Sequence, residues 1–205
     1  MKLLYSINII FILFLYVVNL TAQDIFLEKQ KGFKNKRLSV LDSLKIKEAD
    51  FKHIALELRV YYTAWNKEPM NSKFVQIVKD KNGLWSGKSY LYFYYNRDHY
   101  NFKDIVIENL SLEHWDEAWQ TIVQENYLNL PTELDIKQEK KPLVAVADGY
   151  NYTIEILTKK KKRRITYDNP EVVYESCSEY GLNCYEYKHF LQLIQLMKGE
   201  LELDF

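Results

Sequence analysis

Two cysteines, four histidines, a row of tyrosines and a run of six cations are the side chains of this 205-residue chain from which chemistry could be built. The run is Lys159-Lys160-Lys161-Lys162-Arg163-Arg164. Charge of one sign at that density suits an anionic partner, and the contact should weaken as salt rises. Lysines at an exposed turn also serve to discourage edge-to-edge aggregation, so the run has a purely structural reading as well. Tyr90, Tyr92 and Tyr94 alternate with Leu91, Phe93 and Tyr95, which puts the three tyrosines on one face of an extended segment. If helices cover the Leu91 face, the tyrosines line the open one, where aromatic rings could stack on sugars or on a partner protein.

Cys177 and Cys184 are separated by six residues, which matches neither the redox Cys-x-x-Cys spacing nor a zinc ribbon. A structural disulfide leading into the last helix is expected, in preference to a thiol with His189 as its base. His53, His99, His114 and His189 fall in four different segments. The nearest approach to metal-ligand spacing is His114 with Glu117, which reads as a solvated helix face. Glu113 and Glu117 pair at helical spacing, as any acidic first turn would give. No Gly-x-Ser-x-Gly elbow occurs, and six glycines leave no loop to cradle phosphates. No cofactor and no metal are therefore expected.

The compartment follows from the first residues. Lys2 precedes an apolar run from Ile9 to Val18, and Leu20-Thr21-Ala22 stands before Gln23, the layout of a secretory signal peptide covering 1–22. A spanning helix needs about 20 apolar residues, more than this run supplies without Ser6, Asn8 and Asn19. Cleavage near Ala22/Gln23 would release a soluble protein without an integral membrane span, periplasmic or secreted. The richness in Lys, Asn, Ile and Tyr has the style of a bacterial envelope protein. Loss of 1–22 takes one lysine and no acid from a balanced 28 cations and 28 anions, so charge gives no global pull toward nucleic acid.

Residues 23–37 are polar and mixed, and read as a flexible N-terminal arm ahead of a single α+β domain over 38–205. From His53 to Tyr62 apolar and polar residues alternate, the pattern of a half-buried strand. Phe74 to Lys79 and Leu84 to Tyr95 flank Asp80-Lys81-Asn82-Gly83, and so predict an antiparallel hairpin. Ser111 before Leu112, Trp115, Trp119, Ile122 and Val123 predicts an amphipathic helix to about Tyr127, capped by the serine and stopped by Pro131. Residues 129–142 read as a polar connection with room for a short edge strand. Strands follow at Leu143 to Ala147, Tyr150 to Leu157 and Arg163 to Tyr167, turning at Asp148-Gly149 and at the basic run. The last helix is expected from Asn183, with Glu186 completing a capping box and Phe190, Leu191, Ile194 and Met197 buried before Gly199. Together these elements predict an antiparallel meander of about five to seven strands with two helices on one face.

The function expected on these grounds is a non-enzymatic binding module of the periplasm or extracellular space. Its partner would be another envelope or extracellular protein, an anionic glycolipid or a polysaccharide, without specific nucleic acid. The alternative is a small secreted hydrolase whose site is assembled from dispersed residues.

Overall fold

The computed structural model describes residues 41, 44–47, 49–64, 70–94, 102–142, 144 and 149–203. The leader at 1–22, the arm at 23–37, His99, and nearly all of the strand expected at 143–147 lie outside them. Six strands, β1 (Ile54–Ala64), β2 (Met70–Asp80), β3 (Trp85–Tyr94), β4 (Phe102–Asn109), β5 (Tyr150–Thr158) and β6 (Lys162–Asp168), form one sheet in the order β4-β3-β2-β1-β5-β6. Every pairing is antiparallel. Among the described residues three α-helices have defined bounds: α1 (Trp115–Gln124), α2 (Pro170–Cys177) and α3 (Tyr185–Leu201). The chain is therefore α+β, a meander with helices on one face.

Apolar periodicity decides which face the helices take. Leu56, Leu58 and Val60 of β1 stand beside Val75 and Ile77 of β2 and Ile154 and Ile156 of β5, and α1 and α3 pack over this side. Trp115, Ala118, Trp119 and Ile122 drop from α1 into the core. There Trp85 of β3 meets Trp115 edge-on at 6.0 Å and Trp119 at 5.4 Å. From α3, Phe190 stacks on Tyr167 of β6 at 4.2 Å. Each such fully buried ring contributes about 2 to 3 kcal/mol relative to exposure. The expected burial of Phe190, Ile194 and Met197 holds, whereas Leu193 is buried where Leu191 is only half so.

Several boundaries differ from expectation. Ser111 does not cap α1, which begins after His114 with no side-chain cap. A tight turn from Leu112, closed by the Trp115 amide on the Leu112 carbonyl (3.2 Å), delivers Trp115 into the core first, and burial of that ring sets the start. The helix ends well before Pro131: Asn126 takes φ 58, and its amide donates to the Val123 carbonyl (3.1 Å). Asparagine visits the left-handed region at low cost, so it stops a helix. The connection that follows holds short 3-10 turns at Glu133–Asp135 and Gln138–Lys140, and no strand among its described residues.

β4 and α2 were not foreseen. The capping box at Asn183 does not form, because Cys184 is the N-cap of α3 and Glu186 pairs with Lys140 instead (3.6 Å). Helix α3 also runs through Gly199, ending where Glu202 turns left-handed and Leu203 donates back to the Lys198 carbonyl (3.0 Å). Cys177 at the end of α2 is bonded to Cys184 at the start of α3, with Cα atoms 6.0 Å apart. Closing so short a loop is worth about 2.5 kcal/mol on the chain-entropy model.

Candidate functional site

The basic run lies across the β5–β6 turn. Thr158 builds that turn twice over: its amide donates to the Lys161 carbonyl (2.8 Å), and the Lys161 amide donates to its hydroxyl oxygen (2.9 Å). Lys159, Lys160 and Lys162 are exposed and Lys161 is half-buried. The two arginines do not share the tip. Strand alternation turns Arg163 inward on the helical side, 8% exposed, where it donates to the carbonyls of Asn129 (3.0 Å) and Leu130 (2.8 Å). Arg164 turns to the other face and binds Glu155 through Nε at 2.9 Å and through a second, closer contact. The expected six-cation patch is thus a tip of four lysines anchored by two arginines.

The tyrosine row is placed on the face opposite the helices, as alternation requires, but it is not open. Tyr90 and Tyr92 are 6% and 3% exposed. They form a second apolar cluster with Leu41, Leu44, Tyr61 and Phe74, against which Ile46 packs. Phe74 sits between Tyr61 and Tyr90, with ring centroids at 4.8 and 5.5 Å. Chain preceding β1 returns over this face and covers the rings, which corrects the expectation of a stacking surface. β3 extends to Tyr94, whose side chain lies outside the described residues.

On the same face lies a group of charged residues that patterning did not single out. The strand register sets Gln76, Arg59, Glu155 and Arg164 side by side across β2, β1, β5 and β6. Arg59 Nε donates to Glu57 Oε1 at 2.6 Å, which also accepts from Gln76 Nε2 at 2.7 Å. Glu155 Oε2 accepts from the Tyr61 hydroxyl at 3.2 Å and stands 3.9 Å from Arg59 Nη1. Glu57, Arg59 and Glu155 are all buried. Burial works against the charge of Arg59, but its hydrogen bond to Glu57 and the fields of Glu57, Tyr61 and Glu155 outweigh it and raise its pKa. Two cations and two anions balance, so the network holds its own charges and offers little net field to a ligand. The signal that could have found it was Glu155, a lone acid between Ile154 and Ile156.

β1 is therefore covered on both sides, and the half-buried strand expected from its alternation is corrected. Its polar residues alternate toward a buried salt-bridge face and not toward water.

A third group gathers at the far end of the sheet under α2. Tyr62, Tyr150 and Tyr152 lie with centroids 5.1 to 5.7 Å apart, and the Tyr150 hydroxyl donates to Glu171 Oε2. Burial first, and the negative field of Glu171 second, raise the pKa of Tyr62 and Tyr152; for Tyr150 the Glu171 hydrogen bond adds to both. Asn169 locks this corner, since its Oδ1 accepts from the Tyr150 amide at 2.9 Å. A Cβ at Gly149 would stand 2.0 Å from that oxygen, so the asparagine needs glycine there.

The remaining chemistry-bearing residues are dispersed. His53 is exposed, His114 caps α1 through its backbone, and His189 lies tilted over Tyr185 (3.9 Å) and meets Tyr127 edge-on (5.8 Å). Both cysteines are consumed by the disulfide, so neither is a thiol for His189 to activate. Among the described residues no group of three or more His, Cys, Asp or Glu is placed to hold a metal ion. The chain matches no family model and no curated protein. No helix among the described residues is long and apolar enough to cross a membrane.

Proposed function

We propose that the chain is an exported, non-enzymatic binding protein that meets an anionic partner through Lys159, Lys160, Lys161 and Lys162. The partner is an acidic glycolipid or polysaccharide, or the acidic face of another envelope protein. The observation that carries this reading is the tip itself: four consecutive lysines on a tight turn, with the adjoining Arg163 and Arg164 tied into the body. The disulfide between Cys177 and Cys184 suits the oxidising compartment that the leader implies.

Replacing lysines 159–162 together by glutamine tests the reading. Each lysine near an anionic surface is worth about 1 kcal/mol, so the four together should weaken binding to heparin or to phosphatidylglycerol vesicles by roughly a thousandfold. The melting temperature should stay within a few degrees, since the anchoring arginines remain. Undiminished binding would eliminate the tip as the contact. Intact-mass analysis of the exported protein should show a chain beginning at Gln23 and carrying one disulfide.

A further inference from the structure

The sheet has two edges, and the protein closes one of them. On β6 the Thr166 amide donates to Thr132 Oγ1 (3.2 Å), the Thr132 hydroxyl donates back to the Thr166 carbonyl (3.1 Å), and the Asp168 amide donates to Glu133 Oε2 (2.8 Å). The segment around Thr132 thereby occupies the outward main-chain groups of Thr166 and the outward amide of Asp168, and bars another strand along that half of β6. At the other edge, β4 has no such cover among the described residues. The Leu110 amide donates to the Gly87 carbonyl (3.1 Å), and the register pairs Ser89 with Glu108 and Leu91 with Val106. Antiparallel pairs alternate between bonded and non-bonded, so Val106 and Glu108 turn their backbone groups toward β3. Those of Ile105, Ile107 and Asn109 point outward.

The side chains there are apolar. Ile105, Val106 and Ile107 are 39%, 47% and 56% exposed. Soluble proteins usually blunt an edge with lysine, proline or a covering loop; β4 carries Lys103 and Asp104 at its start, but from Ile105 to Asn109 only Glu108 is charged. An uncovered β-branched edge of this kind is a template for strand addition.

We propose that β4 pairs antiparallel with β4 of a second copy about a two-fold axis, joining two sheets edge to edge. The closed β6 edge is what selects this occupant. Pairing of β4 along Thr166–Asp168 of β6 is barred, and the rest of that edge presents Lys162 and Arg164, which oppose strand addition, so the pairing that the sheets favour is the β4 edge meeting itself, which gives a closed dimer and not a fibre. A register centred on Ile107 sets Ile107 against its own counterpart, Ile105 against Asn109, and Glu108 against Val106, so the acid does not face its like. A formal charge of zero for the full chain, and of −1 once Lys2 is lost with the leader, adds little repulsion between copies. The lysine tips remain beside the outer β6 strands, so this pairing is independent of the polyanion contact.

Sedimentation velocity on the purified chain should show a species of twice the chain mass that dissociates on dilution. Ile107→Lys should sediment as a monomer with unchanged far-ultraviolet circular dichroism. Hydrogen exchange on the unaltered chain supplies a check that needs no variant. The amides of Ile105, Ile107 and Asn109 should become protected as concentration rises, while those of Val106 and Glu108, already bonded to β3, should not change. A chain that stays monomeric up to its solubility limit, including one that takes a strand from another protein instead, overturns the proposal. So does a dimer whose edge amides show no concentration dependence.

Discussion

Glu155 is the residue whose identity most depends on its surroundings. It stands on an apolar strand, 1% exposed, and is tolerated because Arg164, Arg59 and the Tyr61 hydroxyl surround its two oxygens. Breaking one member of a buried ion group leaves the others uncompensated, at a cost of about 3 to 5 kcal/mol. Glu155→Gln should therefore lower the free energy of unfolding by that amount, read as a lower urea midpoint at an unchanged denaturant slope, and removing Arg164 along with it should recover part of the loss. A loss of stability below about 1 kcal/mol would mean that the network is solvated. The sequence displays each of these residues but not their meeting, because Glu57 and Glu155 come together only when β5 pairs with β1 across a long connection. The lysine run was visible as a string, yet only strand alternation beyond Lys162 shows that Arg163 and Arg164 leave the tip.

At the scale of elements, hairpin turns were the most legible feature because a turn is a local steric problem. Gly83 takes φ 90 in the β2–β3 turn, where Asp80 Oδ1 accepts from the amides of Asn82 and Leu84 (both 2.8 Å). Valine there would be held in a region that β-branched residues avoid, at about 1 to 3 kcal/mol. Gly83→Val should accordingly show a lowered thermal midpoint, and full stability in that variant would contradict the turn. β4 escaped notice because its three consecutive apolar residues carry no period of two, as befits an edge exposed on both faces. The eight-residue α2 escaped because Asn169-Pro170 was read only as the end of a strand, although proline at a first helical position also starts one. Helix ends moved by several residues because the burial of Trp115 and the Cys177–Cys184 bond, not the nearest capping side chain, fix where the turns begin.

For the molecule as a whole, the abundance of tyrosine makes stability sensitive to alkali. Burial, foremost, raises the pKa of Tyr62, Tyr150, Tyr152, Tyr167 and Tyr187 above the ordinary 10.0. In the unfolded chain these phenols lose their protons near that value, while the folded protein retains them. Above it the native state binds more protons, so stability is fully present below pH 10 and falls as pH rises further. The melting temperature should drop on that side, and part of the tyrosinate absorbance should appear only together with unfolding. Complete titration of all 17 tyrosines near pH 10 in a folded protein would contradict the buried cluster.

The sequence by itself determined the α+β class, the antiparallel β2–β3 hairpin and the face that β1 gives to the helices, because these depend on side-chain period and on backbone sterics within a few residues. It also determined that Cys177 and Cys184 stand close enough along the chain to bond. Tertiary structure alone decided that Tyr90 and Tyr92 are covered, that four charged residues neutralise one another inside the sheet, and that, among the described residues, Thr132 and Glu133 cover part of the β6 edge while nothing covers β4. Those outcomes turn on which segments distant in sequence come to lie against a face or an edge, and local pattern holds no record of that.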